Sequence, residues 1–205
     1  MTNTFHDIFA GDGQRFIDRF DGDALRSWWT ENDVLGTGTF AMLDDINEGF
    51  SITTGSTTND ASAIDFNDIR QYSNTNSGLI SIHKQISATT TVTNLSGLVN
   101  PSFFYNRNSS MVGIHTTSDA NNFVIRTADN DATSGTGTTV STDTNWHEFR
   151  NELNSSNSLL WIDKSFELVK TTNLPTLKLQ PAFLEQTLTS STREGRIRYM
   201  EAWNR

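Results

Sequence analysis

Apolar and polar residues alternate along most of this chain with the period of two that is typical of β-strands. The alternation is clear in GFSITTG (49–55), GLISIHKQI (78–86) and NNFVIRTA (121–128). Gly, Asn and Asp residues separate these segments and provide turn signals at spacings of about ten residues. The pattern predicts an all-β domain in which antiparallel strands form a sandwich or a barrel.

The two ends of the chain differ in their patterns. RFIDRF (15–20) places Phe16, Asp18 and Phe20 on one face of a predicted strand and Ile17 on the other. Residues 1–14 are predicted to be an N-terminal arm, which either packs loosely or adds onto a neighbouring subunit. Three residues form its apolar cluster and would mediate assembly: Phe5, Ile8 and Phe9. We expect residues 15–205 to form one sandwich domain, with at most a short helical turn in 23–32.

Composition supports a folded domain and limits its partners. The 205 residues include thirteen Phe and five Trp, which supply apolar area for a core. The net charge is −9, and no cluster of Lys and Arg is present, which argues against nucleic-acid binding. Cysteine is absent, so disulfides and thiolate metal sites are excluded. With neither a signal peptide nor a long apolar segment, the chain is expected to be made in the cytoplasm and not to bind a membrane.

A family resemblance is concentrated in the last sixty residues. In NWHEFRNEL (145–153), Trp146, His147 and Phe149 match a W-H-x-[FY] strand. The segment LLWID (159–163) matches the hairpin that follows this strand. The chain thus resembles the concanavalin A-like lectin/glucanase (laminin-G-like) superfamily, of the kind also found in viral and phage structural proteins.

The resemblance implies a specific architecture. FIDRFDGDALRSWW (16–29) is similar to the opening of such domains, in which the first and last strands lie side by side. The implied fold is a two-sheet antiparallel jelly-roll sandwich in which RFIDRF pairs with IRYMEAW (197–203). At the tip of the hairpin, Lys164 and Ser165 replace the usual Gly, so we expect a looser or longer turn.

The catalytic motifs of the superfamily were sought along the chain. Its glucanases carry an E-x-D-x-x-E strand, whereas no E-x-D occurs here. Glu148 and Glu152 share a face with Arg150 between them, a pattern typical of an exposed charge ladder. Likenesses to alginate lyases in RNELN (150–154) and SIH (81–83) occur in the opposite chain order. The histidines lack zinc-ligand spacing. These observations predict no catalytic residues and a protein that is not an enzyme.

Two ligand classes have candidate residues. The segment 101–110 combines aromatic and polar residues suited to a glycan, which would stack on the aromatic ring and bind the polar groups through its hydroxyls. Its candidate glycan-binding residues are Tyr105, Asn106, Arg107 and Asn108, and the alternative is that Phe104 packs in the core with Tyr105 at its rim. Clustered oxygen donors suggest a structural calcium ion, with Asp18, Asp21 and Asp23 as candidate ligands, and solvated Asp-rich turns as the alternative. No cofactor is required by the sequence.

These features favour a non-catalytic structural or adhesive protein. Richness in Ser, Thr and Asn, the lack of cysteine and the apolar arm suggest a virion decoration, fibre or tail protein on a particle surface. Its partners would be other virion or surface-assembly proteins, with glycan binding as an added role, and it would form a homo-oligomer or an assembly subunit. The alternatives are a free lectin-like carbohydrate-binding module, cytoplasmic or extracellular, and a polysaccharide hydrolase or lyase of the same fold.

Overall fold

The protein is an antiparallel β-sandwich. The computed structural model describes residues 15–45, 47–66, 71–86, 91–100, 110–116, 121–129 and 132–204, with the backbone alone at 115 and 116. These residues form fifteen strands and contain no helix, so the part of the chain described here has no helix that could cross a membrane. In the predicted helical window, the backbone N–H of Trp29 donates to the carbonyl of Arg26 in a single turn before a strand begins at Thr30.

Eight strands form the first sheet, called sheet A: β1 (Arg15–Asp18), β3 (Thr39–Met42), β4 (Phe50–Thr53), β6 (Ser77–Gln85), β11 (His147–Leu153), β12 (Ser158–Ile162), β13 (Ser165–Lys170) and β15 (Glu194–Asn204). Their order in space is β13-β12-β11-β6-β15-β4-β3, and β1 also pairs with β15.

Seven strands form the second sheet, called sheet B: β2 (Thr30–Leu35), β5 (Ala61–Asp65), β7 (Val92–Val99), β8 (Met111–Thr116), β9 (Asn122–Asp129), β10 (Ala132–Ser141) and β14 (Gln180–Thr187). Their order is β10-β9-β8-β7-β14-β5-β2.

The expected pairing of the terminal strands is confirmed. β1 runs antiparallel to β15, with Phe16 opposite Ala202 and Arg15 opposite Trp203. Phe16 points into the core, where its ring centroid lies 4.5 Å from that of Phe66 in an edge-to-face contact. The pairing buries the apolar face of β1 and joins the two ends of the described chain in one sheet.

The main core lies between the two sheets and is rich in aromatic side chains. Trp29 packs edge-to-face on Phe66 at 4.7 Å, and its indole N–H donates to a carboxylate oxygen of Asp18 at 2.9 Å. Because a buried indole N–H needs an acceptor, the inward-facing Asp18 stabilises this packing. The prediction from sequence that Asp18 shares a face with Phe16 and Phe20 is therefore confirmed.

Three neighbouring strands of sheet B, β7, β14 and β5, are buried on both of their faces. One face of these strands contributes Ile64, Leu98 and Phe183 to the main core. The other face forms a second apolar cluster on the outer side of the sheet, whose buried members are Ala63, Leu95, Val99, Met111, Ala128, Ala182 and Leu184. Every residue of β5, β7 and β14 is buried within the single chain. This sheet differs from the usual antiparallel sheet, in which one face is solvated.

The turn between β12 and β13 corrects the expectation of a looser or longer tip. The loop consists only of Asp163 and Lys164, whose φ angles are 49° and 70°. Positive φ at both central residues is the geometry of a type I′ turn, which matches the twist of a two-residue hairpin. The expectation was wrong because the strand pairing imposes this conformation even without glycine.

Candidate functional site

Two of the three residues predicted as calcium ligands, Asp18 and Asp21, lie beside the guanidinium of Arg26. Asp18 is buried, and its two carboxylate oxygens accept from the Phe20 backbone N–H and from the Trp29 indole. Arg26 lies 3.5 Å from an Asp18 oxygen and donates to the Asp21 carboxylate at 3.1 Å, whereas Asp23 is exposed. No group of three or more potential metal ligands occurs among the residues that the structure describes. Calcium binding stays a prediction.

Other predicted site residues lie outside the described residues. These are the four candidate glycan-binding residues at positions 105–108 and the three apolar residues of the N-terminal arm at positions 5, 8 and 9. Their roles in glycan binding and in assembly stay predictions.

The outer side of sheet A carries a group of aromatic and charged side chains, which we call the tryptophan face: Trp161, Phe166, Arg150, Glu152 and Trp203. The Arg150 guanidinium lies 5.3 Å from the ring centroid of Trp161 and 6.0 Å from that of Trp203. It also donates to Glu152 through Nε at 2.9 Å and through a terminal nitrogen. The cation is thus held between two indole rings and is paired with a carboxylate.

Strand register explains how these residues meet. Arg150 on β11 is directly opposite Trp161 on β12, and Trp161 is opposite Phe166 on β13. Across β6 from β11, Trp203 is opposite Gly78. A side chain at position 78 would place its Cβ 2.3 Å from the Trp203 ring, so this glycine leaves the space that the indole occupies.

Further along the same outer side, Trp146 lies between two cations. The Lys84 ammonium and the Arg198 guanidinium are each 4.6 Å from its ring centroid. Lys84 also forms an ion pair with Glu48 at 2.9 Å, and Arg196 donates to the same carboxylate. This end of sheet A is therefore a paired network of charges around one indole.

His147 joins three segments at one end of the sandwich. Its Nδ1 lies 2.7 Å from Asp163 at the tip of the β12–β13 hairpin, and its Nε2 lies 2.9 Å from Asp143. Burial lowers the pKa of His147, but the hydrogen bonds and charges of Asp163 and Asp143 outweigh it and raise the pKa above its ordinary value. Both ring nitrogens of this histidine of the W-H-x-[FY] strand are held by carboxylates, so the geometry gives it a structural role.

Beside His147 is a pocket with room for about one water molecule. Its volume is about 10 Å³, and its lining includes His83, Asn94 and Phe123. His83 stacks on Phe149 at 4.4 Å, and burial lowers the pKa of this histidine to about 3. The pocket is too small for a sugar ring, so it is not a glycan site.

A buried carboxyl group connects the two sheets. Glu185 on β14 accepts hydrogen bonds from the Gln85 amide of β6 at 2.6 Å and from the Asn94 amide of β7 at 2.8 Å. Burial raises the pKa of Glu185 to about 8, although both hydrogen bonds oppose this rise. A raised pKa is typical of a general acid. Glu185 is nevertheless completely buried between the sheets and out of reach of a polymeric substrate.

The carboxylates of β11 are too far apart to act together. Glu148 and Glu152 lie on the same side, as expected, but four residues of extended strand separate their Cα atoms by about 13 Å. A retaining glycosidase needs its two carboxyl groups about 5 Å apart, and an inverting one needs about 6.5–9.5 Å. Glu152 is also buried and paired with Arg150, so it is not a freely exposed member of a charge ladder.

The tryptophan face is the most distinctive surface of the molecule and was not predicted from the sequence. Trp161 was noted only as part of the hairpin motif, and Phe166 and Trp203 were not assigned a role. Alternation along β12 places Trp161 on the other face of the strand from the buried Leu160 and Ile162, and this pattern could have indicated an exposed tryptophan. Phe166 joins it only through a register shift in the β12–β13 pairing, which the sequence does not reveal.

Comparison with solved structures identifies the architecture. A β-1,3-glucanase from Mycobacterium marinum is 13% identical, with a TM-score of 0.61, covering 92% of this chain and 97% of that one. The Bacillus licheniformis β-glucanase is 8% identical, with a TM-score of 0.68 and coverages of 92% and 97%. The fold is the concanavalin A-like jelly roll.

Another concanavalin A-like sandwich similar to this one is the laminarinase catalytic domain from Thermotoga maritima. It is 7% identical, with a TM-score of 0.66, covering 93% of this chain and 97% of that one. No family model matches the sequence, and no curated protein matches it. At these identities the likeness establishes the fold alone.

These comparisons correct the functional prediction. The prediction of a non-catalytic structural or adhesive protein of a virion was wrong, because the similar structures are glycoside hydrolases. The prediction that the chain is not an enzyme was wrong for the same reason. The hydrolase alternative is the better supported one. The missing E-x-D motif misled the prediction because it was sought as a local sequence pattern in a chain this distant from its structural relatives.

Proposed function

We propose that this protein hydrolyses a polysaccharide. The observation that carries the proposal is the extent of the structural likeness, which covers more than nine-tenths of this chain and of three glycoside hydrolases. The shared part is a whole sandwich with both sheets, so the protein has the complete framework on which those enzymes are built. Fold analogy raises the expectation of such chemistry, and activity is the measurement that decides it.

A neutral, β-linked glucan is the substrate class that we expect. The similar proteins are described as a β-1,3-glucanase, a β-glucanase and a laminarinase. This chain has a net charge of −9, which would repel a polyanionic polysaccharide at low ionic strength. An uncharged glucan would not be repelled in this way.

The reaction would need two carboxyl groups on either side of the glycosidic bond. One protonates the leaving oxygen, and the other attacks the sugar carbon or activates a water molecule. In the part of the chain that the structure describes, the acids considered above serve other purposes: Asp143 and Asp163 hold His147, and Glu185 joins the sheets. The search for the catalytic pair is therefore directed at the remaining acidic residues.

The test is the release of reducing ends from purified polymers. The purified chain is incubated with β-1,3-glucan, mixed-linkage β-glucan and β-galactan between pH 4 and pH 8, and products are separated by chromatography. We expect oligosaccharides from at least one glucan. Replacing each remaining Asp by Asn and each remaining Glu by Gln should then identify two positions at which activity falls by about 10²-fold or more.

Two controls accompany the assay. The unmodified chain after heat inactivation should release nothing, and the Lys178→Gly variant, which keeps every acidic residue, should be as active as the unmodified chain. The proposal is wrong if the folded protein releases nothing from any of these polymers across the pH range.

A further inference from the structure

The outer side of sheet A exposes aromatic surface where an antiparallel sheet usually presents polar side chains. Phe166 is 54% exposed, and Val169 on the same strand is 47% exposed. Trp161 and Trp203 are both partly exposed. The ring centroids of Trp161 and Phe166 are 5.6 Å apart, and their planes are 67° apart, so the pair forms an edge-to-face corner. An exposed apolar patch of this kind marks a binding surface.

The charged side chains nearest to these rings form pairs of opposite charge. Arg150 is paired with Glu152, and Arg15 is paired with Glu201 at 2.8 Å. Tyr199 donates its hydroxyl proton to the same Glu201 at 2.6 Å. The face therefore offers hydrogen-bonding groups without net charge, which suits a polyhydroxylated, neutral ligand better than a charged one.

The spacing of the rings suits an extended chain. Trp161 on β12 and Trp203 on β15 are separated by β11 and β6, and neighbouring strands lie about 4.8 Å apart. The Trp203 ring leans over Gly78 of β6, and the Arg150 guanidinium lies 5.3 Å from one ring centroid and 6.0 Å from the other. The two indole centroids are therefore at most about 11 Å apart, with the guanidinium between them. A short run of sugar units laid across the strands would meet one indole, then the ion pair, then the other indole.

We propose that the tryptophan face binds a neutral polysaccharide chain. The rings of Trp161, Phe166 and Trp203 stack against the C–H faces of the sugars, and Arg150 with Glu152 bonds their hydroxyl groups. The surface holds the polymer and performs no cleavage. The choice of a polysaccharide as the occupant rests on the proposed function.

The test is electrophoresis through native gels that contain soluble β-1,3-glucan, mixed-linkage β-glucan or β-galactan, compared with gels that contain none. We expect at least one polymer to retard the protein. Trp161→Ala and Phe166→Ala should each weaken this binding, and the double variant should weaken it by about tenfold or more. Phe166→Ala removes a side chain that is mostly in solvent, so it should leave the fold intact.

Matched controls come from apolar residues of similar exposure elsewhere. Leu35 on β2 is 53% exposed and Leu177 is 45% exposed, and neither belongs to the tryptophan face. Leu35→Ala and Leu177→Ala should bind as the unmodified protein does. Melting temperatures of all variants report on folding.

Three results would overturn the inference. These are retardation that is unchanged in the Trp161 and Phe166 double variant, no retardation by any of the polymers, and self-association that the double variant abolishes in sedimentation experiments. If the protein cleaves glucan but its binding does not depend on Trp161, the proposed function stands and this inference is wrong. If binding depends on Trp161 but no polymer is cleaved, this inference stands and the proposed function is wrong.

Discussion

At the scale of single residues, the backbone of the β12–β13 turn is under an identifiable constraint. Lys164 has a φ of 70°, in the left-handed region where a side chain on Cβ is unfavourable. Asp163, the residue before it, tolerates this region better, and its side chain accepts hydrogen bonds from the Glu148 backbone N–H at 2.9 Å and from His147. The turn is thus stabilised through Asp163 and strained at Lys164.

Lys164→Gly should therefore stabilise the protein. Glycine adopts positive φ without steric cost, and Asp-Gly is a preferred type I′ sequence. We expect the free energy of unfolding to rise by about 0.5 kcal/mol, because the greater freedom of glycine in the unfolded chain offsets part of the gain. Denaturant titration measures the change.

The control for this prediction is Lys178→Gly, at an exposed position without positive φ. This variant should be neutral or slightly destabilised. Equal effects at positions 164 and 178 would show that the conformation of the turn is not the cause.

At the scale of elements, the His147 bridge ties the start of β11 to the β12–β13 hairpin and to Asp143. The pKa of His147 is raised in the folded protein, so the stability that its charge contributes is fully present below the unfolded pKa of about 6.5. It is lost as pH rises through the folded value. Because Asp143 and Asp163 are each about half exposed, solvent screening reduces the effect.

His147→Gln should destabilise the protein more at pH 5.5 than at pH 9. We expect the loss of unfolding free energy to be larger at pH 5.5 than at pH 9 by on the order of 1 kcal/mol, measured by urea unfolding at each pH.

His83→Gln is the comparison, since the pKa of His83 is lowered to about 3 by burial. The His83→Gln variant should lose less stability at pH 5.5 than at pH 9. At pH 5.5 this histidine gains a proton in the unfolded chain but not in the folded protein, so the unmodified protein is itself less stable at that pH. The same pH trend in both variants would contradict this account.

At the scale of the whole molecule, Glu185 connects sheet A to sheet B through Gln85 and Asn94. Space for this contact comes from Gly195, where a Cβ would lie 2.6 Å from a Glu185 oxygen. Since the pKa of Glu185 is raised to about 8, the group is protonated in the folded protein at neutral pH. Its contribution to stability is fully present below the unfolded pKa, about 4.3, and is lost as pH rises through 8.

Glu185→Gln should reduce the loss of folding stability that occurs as the pH rises above neutrality. The unmodified protein should lose free energy of unfolding between pH 6 and pH 9, on the order of a few kcal/mol, and the amide variant should lose less. Thermal unfolding at both pH values provides the measurement. Glu31→Gln, at an exposed position of β2, should keep the slope of the unmodified protein. If the Glu185→Gln variant loses as much stability between pH 6 and pH 9 as the unmodified protein, Glu185 is not the group responsible.

Much of the fold was predictable from the sequence because its evidence is local. Alternation of period two placed the strands, as in β6, where Leu79, Ser81 and His83 face inward and Ile80 and Ile82 outward. The resemblance in the last sixty residues implied the pairing of β1 with β15. The same local reasoning led to a functional prediction that the structural comparisons contradict, because a catalytic motif sought as a short sequence pattern is a poor guide in a chain only 7–13% identical to the similar structures.

Only the tertiary structure decided which faces the strands present and which side chains meet. Alternation cannot reveal that both sides of β5, β7 and β14 are buried, since that depends on what packs against each side. Nor can it bring Trp161 and Trp203 to the two sides of Arg150, because strand order joins residues that are far apart in the sequence. The sequence by itself determined an all-β sandwich with adjacent terminal strands. The surface proposed to bind glycan follows from strand register across sheet A, which is a non-local property of the folded chain.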